Sequence, residues 1–265
     1  MSSFVSRIVV AAAALPVAVG LVYLGGWWTF GLAAVAAVFA LHEFWILARP
    51  LSPLSPAGYV GGILALVGAE TSGVAWMTGG VLSAFLLAFA LKGISDSRQA
   101  ATTSISATVM GAVWVGCGLS FTLLIRDLGD HGRLAALTVL LAVWAGDTLA
   151  YFGGRLFGRH RMAPTTSPGK TWEGFAFGTF ATVFVTFTAL YDQHFLTIAQ
   201  SLVLGAVIAV TAPVGDLFES MLKRDMRVKD TGRLLGGHGG MLDRIDAVLF
   251  AAPAAYFCIR AFGHV

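Results

Sequence analysis

Charge is what this sequence has least of. Of its 265 residues only 12% are Asp, Glu, Lys or Arg, about half of the roughly 25% found in soluble domains. So few charges cannot cover a water-facing surface, and the mean hydropathy of +0.80 points the same way. Cysteine is nearly missing too. The two present, Cys117 and Cys258, sit in apolar runs and read as small packing residues, which argues against a disulfide framework or a cysteine metal site. Strand-length segments of alternating polarity are also lacking, so a membrane β-barrel is excluded.

What remains is a series of long uncharged runs. About 20 apolar residues in a helix cross a hydrocarbon core of roughly 30 Å, and apart from closed barrels only helices satisfy their backbone groups in lipid. The expected fold class is all-α, a polytopic integral membrane protein. About nine transmembrane helices are predicted on the bilayer length rule, at Ile8–Leu24, Trp27–Leu47, Ala57–Ala69, Val74–Leu91, Ser104–Ile125, Leu134–Phe152, Trp172–Leu190, Phe195–Val214 and Ile245–Phe262. The first follows Arg7 and looks like a secretory leader, but more spans follow at once, so it is expected to be retained. The third is short and glycine-rich. The polar stretch 92–103 is placed at the interface. No internal repeat or low-complexity segment is evident. Residues 1–265 are expected to form a single membrane-embedded domain, with residues 1–125 as a scaffold and residues 134–265 carrying the chemistry.

Lys and Arg accumulate in cytoplasmic loops. With a cytoplasmic N-terminus, 14 of the 17 basic residues fall inside and only Arg126, Arg133 and Arg260 fall outside. Both large polar loops then lie on the cytoplasmic side. The net charge of +3 reads as topology, and no nucleic-acid partner is expected.

One of those loops is unusually charged. Between Asp216 and Asp246 lie six acidic and six basic residues, and ionisable groups beside a membrane are costly and usually functional. Asp216, Ser220 and Lys223 share one face if the eighth helix continues; Asp243 and Asp246 share a face at the start of the last. Two carboxylates from two helices suit Mg²⁺, which takes oxygen ligands and keeps places for water and phosphate. Asp216 and Asp243 are the expected ligands. Lys223, Arg224, Lys229 and Arg244 suit phosphate oxygens. In the run Gly236–Gly240, the backbone N–H groups of Gly239 and Gly240 can approach an anion closely. His238 either touches phosphate or cation or merely fills the loop.

The other loop holds Ser167-Pro168-Gly169-Lys170-Thr171, read as a rigid turn with a cation and two hydroxyls just before a helix start that favours anions. Upstream, Asp147 lies within a span. A buried carboxylate there either binds a metal or substrate or pairs with a neighbouring helix.

The run Ser220–Asp246 resembles the signature of the phosphatidate cytidylyltransferases, or CDP-diacylglycerol synthases. Its fixed positions are filled at Ser220, Lys223, Arg224, Lys229, Asp230, Gly232, His238, Gly239, Gly240, Asp243, Arg244 and Asp246. The likeness extends to Asp147, Ala150 and Tyr151 and to Ser167–Gly174, where the family often has a second Lys in place of Gly169. The first half matches only in its apolar spans and at Glu43. The resemblance implies a homodimeric enzyme of the plasma (inner) membrane, with its site facing the cytoplasm. It would use CTP, phosphatidic acid and Mg²⁺ to form CDP-diacylglycerol and pyrophosphate. The family's dinuclear cation site places aspartates at Asp216 and Asp243, with K⁺ as the expected second cation. Lys223, Arg224, Lys229, Asp230, His238 and Asp246 are then the catalytic candidates. Substrate contacts are assigned to Asp147, Ser167, Lys170, Thr171, Ser220, Gly239, Gly240 and Arg244. The N-terminal helices would offer dimer contacts.

Plainer readings compete. Basic residues beside a membrane often serve topology or anionic lipids alone, which accounts for Arg49 and Arg98 but not for the accompanying carboxylates. His42 and Glu43 read as paired or snorkelling near the interface, and Glu219, Asp225 and Arg227 as solvated or structural. Alternative functions are a related CTP-dependent lipid nucleotidyltransferase, a prenol-type lipid kinase, or a transporter with charges near the midplane. A transporter is disfavoured because the charges cluster in one end loop and no inverted halves are visible.

Overall fold

The computed structural model describes residues 15–95, 100–228 and 240–263. It is helical apart from one short hairpin. The helices are α1 (Leu15–Leu24), α2 (Trp27–Leu47), α3 (Ser55–Ser72), α4 (Val74–Ile94), α5 (Ala101–Gly111), α6 (Gly118–Arg126), α7 (Gly132–Phe157), α8 (Trp172–Leu190), α9 (Ile198–Asp225) and α10 (Leu242–Ala261). A π-helical turn, Ala112–Cys117, joins α5 to α6 without a break. Six helical segments among the described residues are long and apolar enough to cross a membrane: α2, α4, α5–α6 as one, α7, α8 and α9. The protein is a polytopic helical membrane protein. Both cysteines are free thiols.

The chain divides into two compact units. The first takes residues 1–127 and 226–245, the second 128–225 and 246–265.

In the first unit, α3 lies against α4 through small residues. A side chain on Gly80 would strike the Ala65 backbone, and one on Gly61 would strike Ala84. Water-free helix association depends on such close backbone approach, because lipid offers no hydrophobic drive. The glycines of α3 are therefore its contact surface. The helix covers 18 residues, longer at both ends than its glycine content suggested.

In the second unit, α7 and α8 run together along their lengths. Gly146 lies under Thr182, whose hydroxyl donates to the Ala142 carbonyl at 3.2 Å. The loop between these helices folds as an antiparallel pair, β1 (Arg161–Ala163) and β2 (Ser167–Thr171), with Arg161 opposite Thr171 and Ala163 opposite Ser167. The turn expected at Ser167–Thr171 is thus a strand. Its partner lies only a few residues upstream, and pairing overrides the local Pro-Gly turn tendency. Thr171 then N-caps α8, its hydroxyl oxygen accepting from the Gly174 N–H at 3.1 Å.

Helix α9 runs 28 residues to Asp225, well past the Val214 end expected from hydropathy alone. Its polar last turns keep Asp216, Ser220 and Lys223 on one face, as their spacing requires.

Candidate active site

The charged residues of the second unit converge from four elements. Asp147 comes from α7 and Lys170 from β2. Asp216, Glu219, Ser220, Lys223 and Arg224 come from α9, and Asp246 from α10. Gly215 permits part of this, since a Cβ there would collide with the Asp246 carbonyl. Helices α9 and α10 touch backbone to backbone at the level of the carboxylates.

Lys170 holds the centre. Its Nζ lies 2.9 Å from Asp216 Oδ2 and donates to the Pro213 carbonyl at 3.1 Å. Ser220 Oγ donates to Asp216 Oδ1 at 3.3 Å. Both oxygens of Asp216 are therefore oriented, and its side chain remains 39% exposed, accessible to a ligand. One turn on, Lys223 Nζ lies 3.3 Å from Glu219 Oε2. Glu219 is only 1% exposed, so of the two readings offered for it the structural one holds. Asp246 is buried; its Oδ1 accepts from the Ala247 N–H at 2.8 Å, and its carboxyl interacts with that of Glu219. Asp147 reaches the edge of this cluster from α7, where it feels the charges of Asp246, Asp216 and Lys170.

The hairpin is fastened on both sides. Glu173, in the first turn of α8, accepts from the Arg159 and His160 N–H groups at 3.1 and 3.2 Å and meets His160 Nδ1 at 2.6 Å. Arg224 Nε donates to the Thr166 carbonyl at 3.2 Å, and Arg161 donates to that of Pro168. These contacts set the height of Lys170 beside α9. Ser167 lies at the other end of β2, and Thr171, buried, serves as the α8 cap.

In the first unit, Asp243 lies in the first turn of α10, and its Oδ2 accepts from the Gly240 N–H at 2.8 Å. Arg244 follows and is exposed. Of the two readings offered for Glu43, paired or snorkelling, the paired one holds, with partners from the start of α10. Glu43 is fully buried, with no exposed surface, and its oxygens accept from the Met241 and Leu242 N–H groups at 3.0 and 2.8 Å. Snorkelling is excluded. The expected roles of Lys229, Asp230, His238 and Gly239 fall outside the described residues.

The donor set suits a hard divalent cation. Three carboxylates of the second unit interact electrostatically and supply oxygen alone, the chemistry Mg²⁺ selects. Among the described residues no three His, Cys, Asp or Glu side chains are close enough to cage a metal by themselves. Mg²⁺ commonly takes only one or two carboxylates, leaving other places for phosphate. The residues fit.

Fold and site together define a helical membrane protein with a cluster of acids and amines suited to phosphates. Residues 5–262 match the model of the cytidylyltransferase family, and the chain belongs to that family. It is 39% identical over 178 residues to the phosphatidate cytidylyltransferase of Thermotoga maritima, covering 65% of each chain. It is 42% identical over 161 residues to that of Mycobacterium bovis, covering 59% of this chain and 51% of the relative. With that of Bacillus subtilis it shares 37% over 154 residues, 58% of this chain and 57% of the relative. These matches span between about half and two thirds of the relatives' lengths.

Proposed function

We propose that this protein transfers the cytidylyl group of CTP to phosphatidic acid, giving CDP-diacylglycerol and pyrophosphate. The observation that carries the reading is the Lys170–Asp216 pair, held between hairpin and helix, in a chain whose relatives are named phosphatidate cytidylyltransferases.

In the proposed reaction an oxygen of the lipid phosphate attacks the α-phosphorus of CTP. The bond from that phosphorus to the α,β-bridging oxygen breaks, and pyrophosphate leaves with the electron pair. A phosphate monoester is already a competent nucleophile, so no strong base is needed. Alignment and charge neutralisation supply most of the acceleration. Lys170, Lys223 and Arg224 offer positive charge toward phosphate oxygens. Asp216 and Asp243 are taken from the family resemblance as the carboxylate ligands of Mg²⁺, with Asp147 and Asp246 shaping the field around Asp216. When bound, Mg²⁺ would neutralise triphosphate charge and ease departure of pyrophosphate. K⁺ is the proposed second cation. Lys229, Asp230, His238, Gly239, Gly240 and Arg244 are carried as phosphate or cation contacts on the signature alone.

Charge bias supports a cytoplasmic N-terminus and site, and the bacterial relatives support the plasma membrane. A homodimer in contact with membrane lipids completes the reading.

The test is to incubate purified protein in lipid nanodiscs with labelled CTP, phosphatidic acid and Mg²⁺, with and without EDTA. Labelled CDP-lipid that vanishes with EDTA is expected. Transfer of the γ-phosphate to a lipid would instead identify a lipid kinase, and intact CTP with every lipid acceptor would defeat the proposal.

A further inference from the structure

We infer that Glu43 is a positioning residue of the site, acting through the backbone that aims Asp243. The inference rests on the function proposed above. Glu43 is the only Asp, Glu, Lys or Arg on α2, and it is wholly buried. An interior carboxylate is strongly unfavourable unless its oxygens find donors. Here each oxygen takes one N–H, from Met241 and from Leu242. Both belong to the group of N–H donors that the start of any helix leaves without an intrahelical acceptor, and the negative charge complements the helix dipole.

The usual device for such donors is local, a Ser, Thr, Asp or Asn immediately before the helix. This chain has Met241 there, which cannot cap, and takes its acceptor from a residue about 200 positions earlier in the chain. Asp243 completes the arrangement by accepting from the Gly240 N–H. Three successive amides, at 240, 241 and 242, are thus held by two carboxylates. The first two turns of choice for Asp243, its backbone and its side-chain rotation, are both fixed by this turn. A buried acid fastened this way ties the end of the signature loop to α2 and presets the direction of Asp243.

The test uses the full chain in nanodiscs, with Glu43→Gln and Glu43→Asp beside the parent protein. Glu43→Gln turns one acceptor oxygen into an NH₂ facing an N–H; Glu43→Asp keeps both oxygens on a shorter stem. Three readings are taken: hydrogen exchange of residues 240–243, Mn²⁺ binding by EPR without nucleotide, and the Mg²⁺ dependence of CDP-lipid formation. In Glu43→Gln the segment should exchange faster, and Mn²⁺ binding should weaken by about 10- to 100-fold, the usual effect of losing an outer-shell partner. The half-saturating Mg²⁺ should rise in parallel, with the KM for CTP unchanged, and Glu43→Asp should recover part of both losses. Unaltered Mn²⁺ binding and Mg²⁺ dependence in Glu43→Gln overturn the inference, as does an equal rise in the KM for CTP. If Glu43→Gln does not assemble, Glu43→Asp decides by the same readings. A parent protein that forms no CDP-lipid defeats the function, while the Mn²⁺ and exchange readings still judge Glu43.

Discussion

Lys170 Nζ lies 2.9 Å from Asp216 Oδ2 and 3.1 Å from the Pro213 carbonyl oxygen. One ammonium carried by the hairpin therefore serves both a carboxylate of α9 and the main chain just before it. It occupies the carboxylate assigned above to the proposed Mg²⁺, so in that reading the two positive charges compete. In Lys170→Met the half-saturating Mg²⁺ should fall because the competitor is gone. Turnover should nonetheless drop by roughly 100-fold, the scale of losing one contact that stabilises developing charge. Initial rates across a Mg²⁺ titration check both. A variant with the parent's rate and Mg²⁺ dependence would reduce the pair to a strut.

Asp216→Asn keeps the shape of the side chain and can still accept from Ser220, but loses its charge. Asp243→Asn can still accept from the Gly240 amide. Each should insert and purify normally while kcat/KM for CTP falls by roughly 100- to 1,000-fold, on the same scale. Either variant retaining near-parent turnover would remove that residue from the proposed cation site.

Glu173 anchors the start of the hairpin through the amides of Arg159 and His160. Glu173→Gln has one acceptor oxygen where the parent has two. Local opening should become more frequent, giving faster tryptic cleavage after Arg159 and Arg161 and a smaller fall in turnover than Lys170→Met causes. Cleavage at the parent's rate would place the hairpin's anchorage elsewhere.

Gly79 and Gly80 are neighbours with opposite surroundings. A Cβ at 80 meets the backbone of Ala65, whereas one at 79 has nothing within 4 Å. Gly80→Leu should lower stability by about 1–3 kcal/mol, as overpacking does, and Gly79→Leu should be nearly silent. Thermal unfolding in detergent distinguishes them, and equal effects would refute close α3–α4 contact as the reason for glycine at 80.

The helical membrane class was legible because hydropathy and length are local properties, and most span positions follow from them. The extension of α9 was legible only conditionally: its last turns are polar, and only the shared face of Asp216, Ser220 and Lys223 points to a helix there. The β-pairing of Ser167–Thr171 was not legible, since Pro168-Gly169 signals a turn and its partner strand has three residues. Glu43 was hidden for a different reason. A lone acid near a helix end looks like an interfacial residue, and nothing nearby in sequence announces that its donors lie at Met241 and Leu242. The burial of Glu219 was likewise invisible within a window so rich in charge.

At 1.5 Å per residue, the 28 residues of α9 extend about 42 Å, beyond the roughly 30 Å of a hydrocarbon core. With the apolar start of α9 in the hydrocarbon core, its polar end, from Asp216 onward, has the length to reach the headgroup region. In the proposed reaction a diacyl substrate meeting these residues would keep both tails in the leaflet while its phosphate reacts, so no part of the acyl chains would have to be drawn into water. The nucleotide alone has to travel.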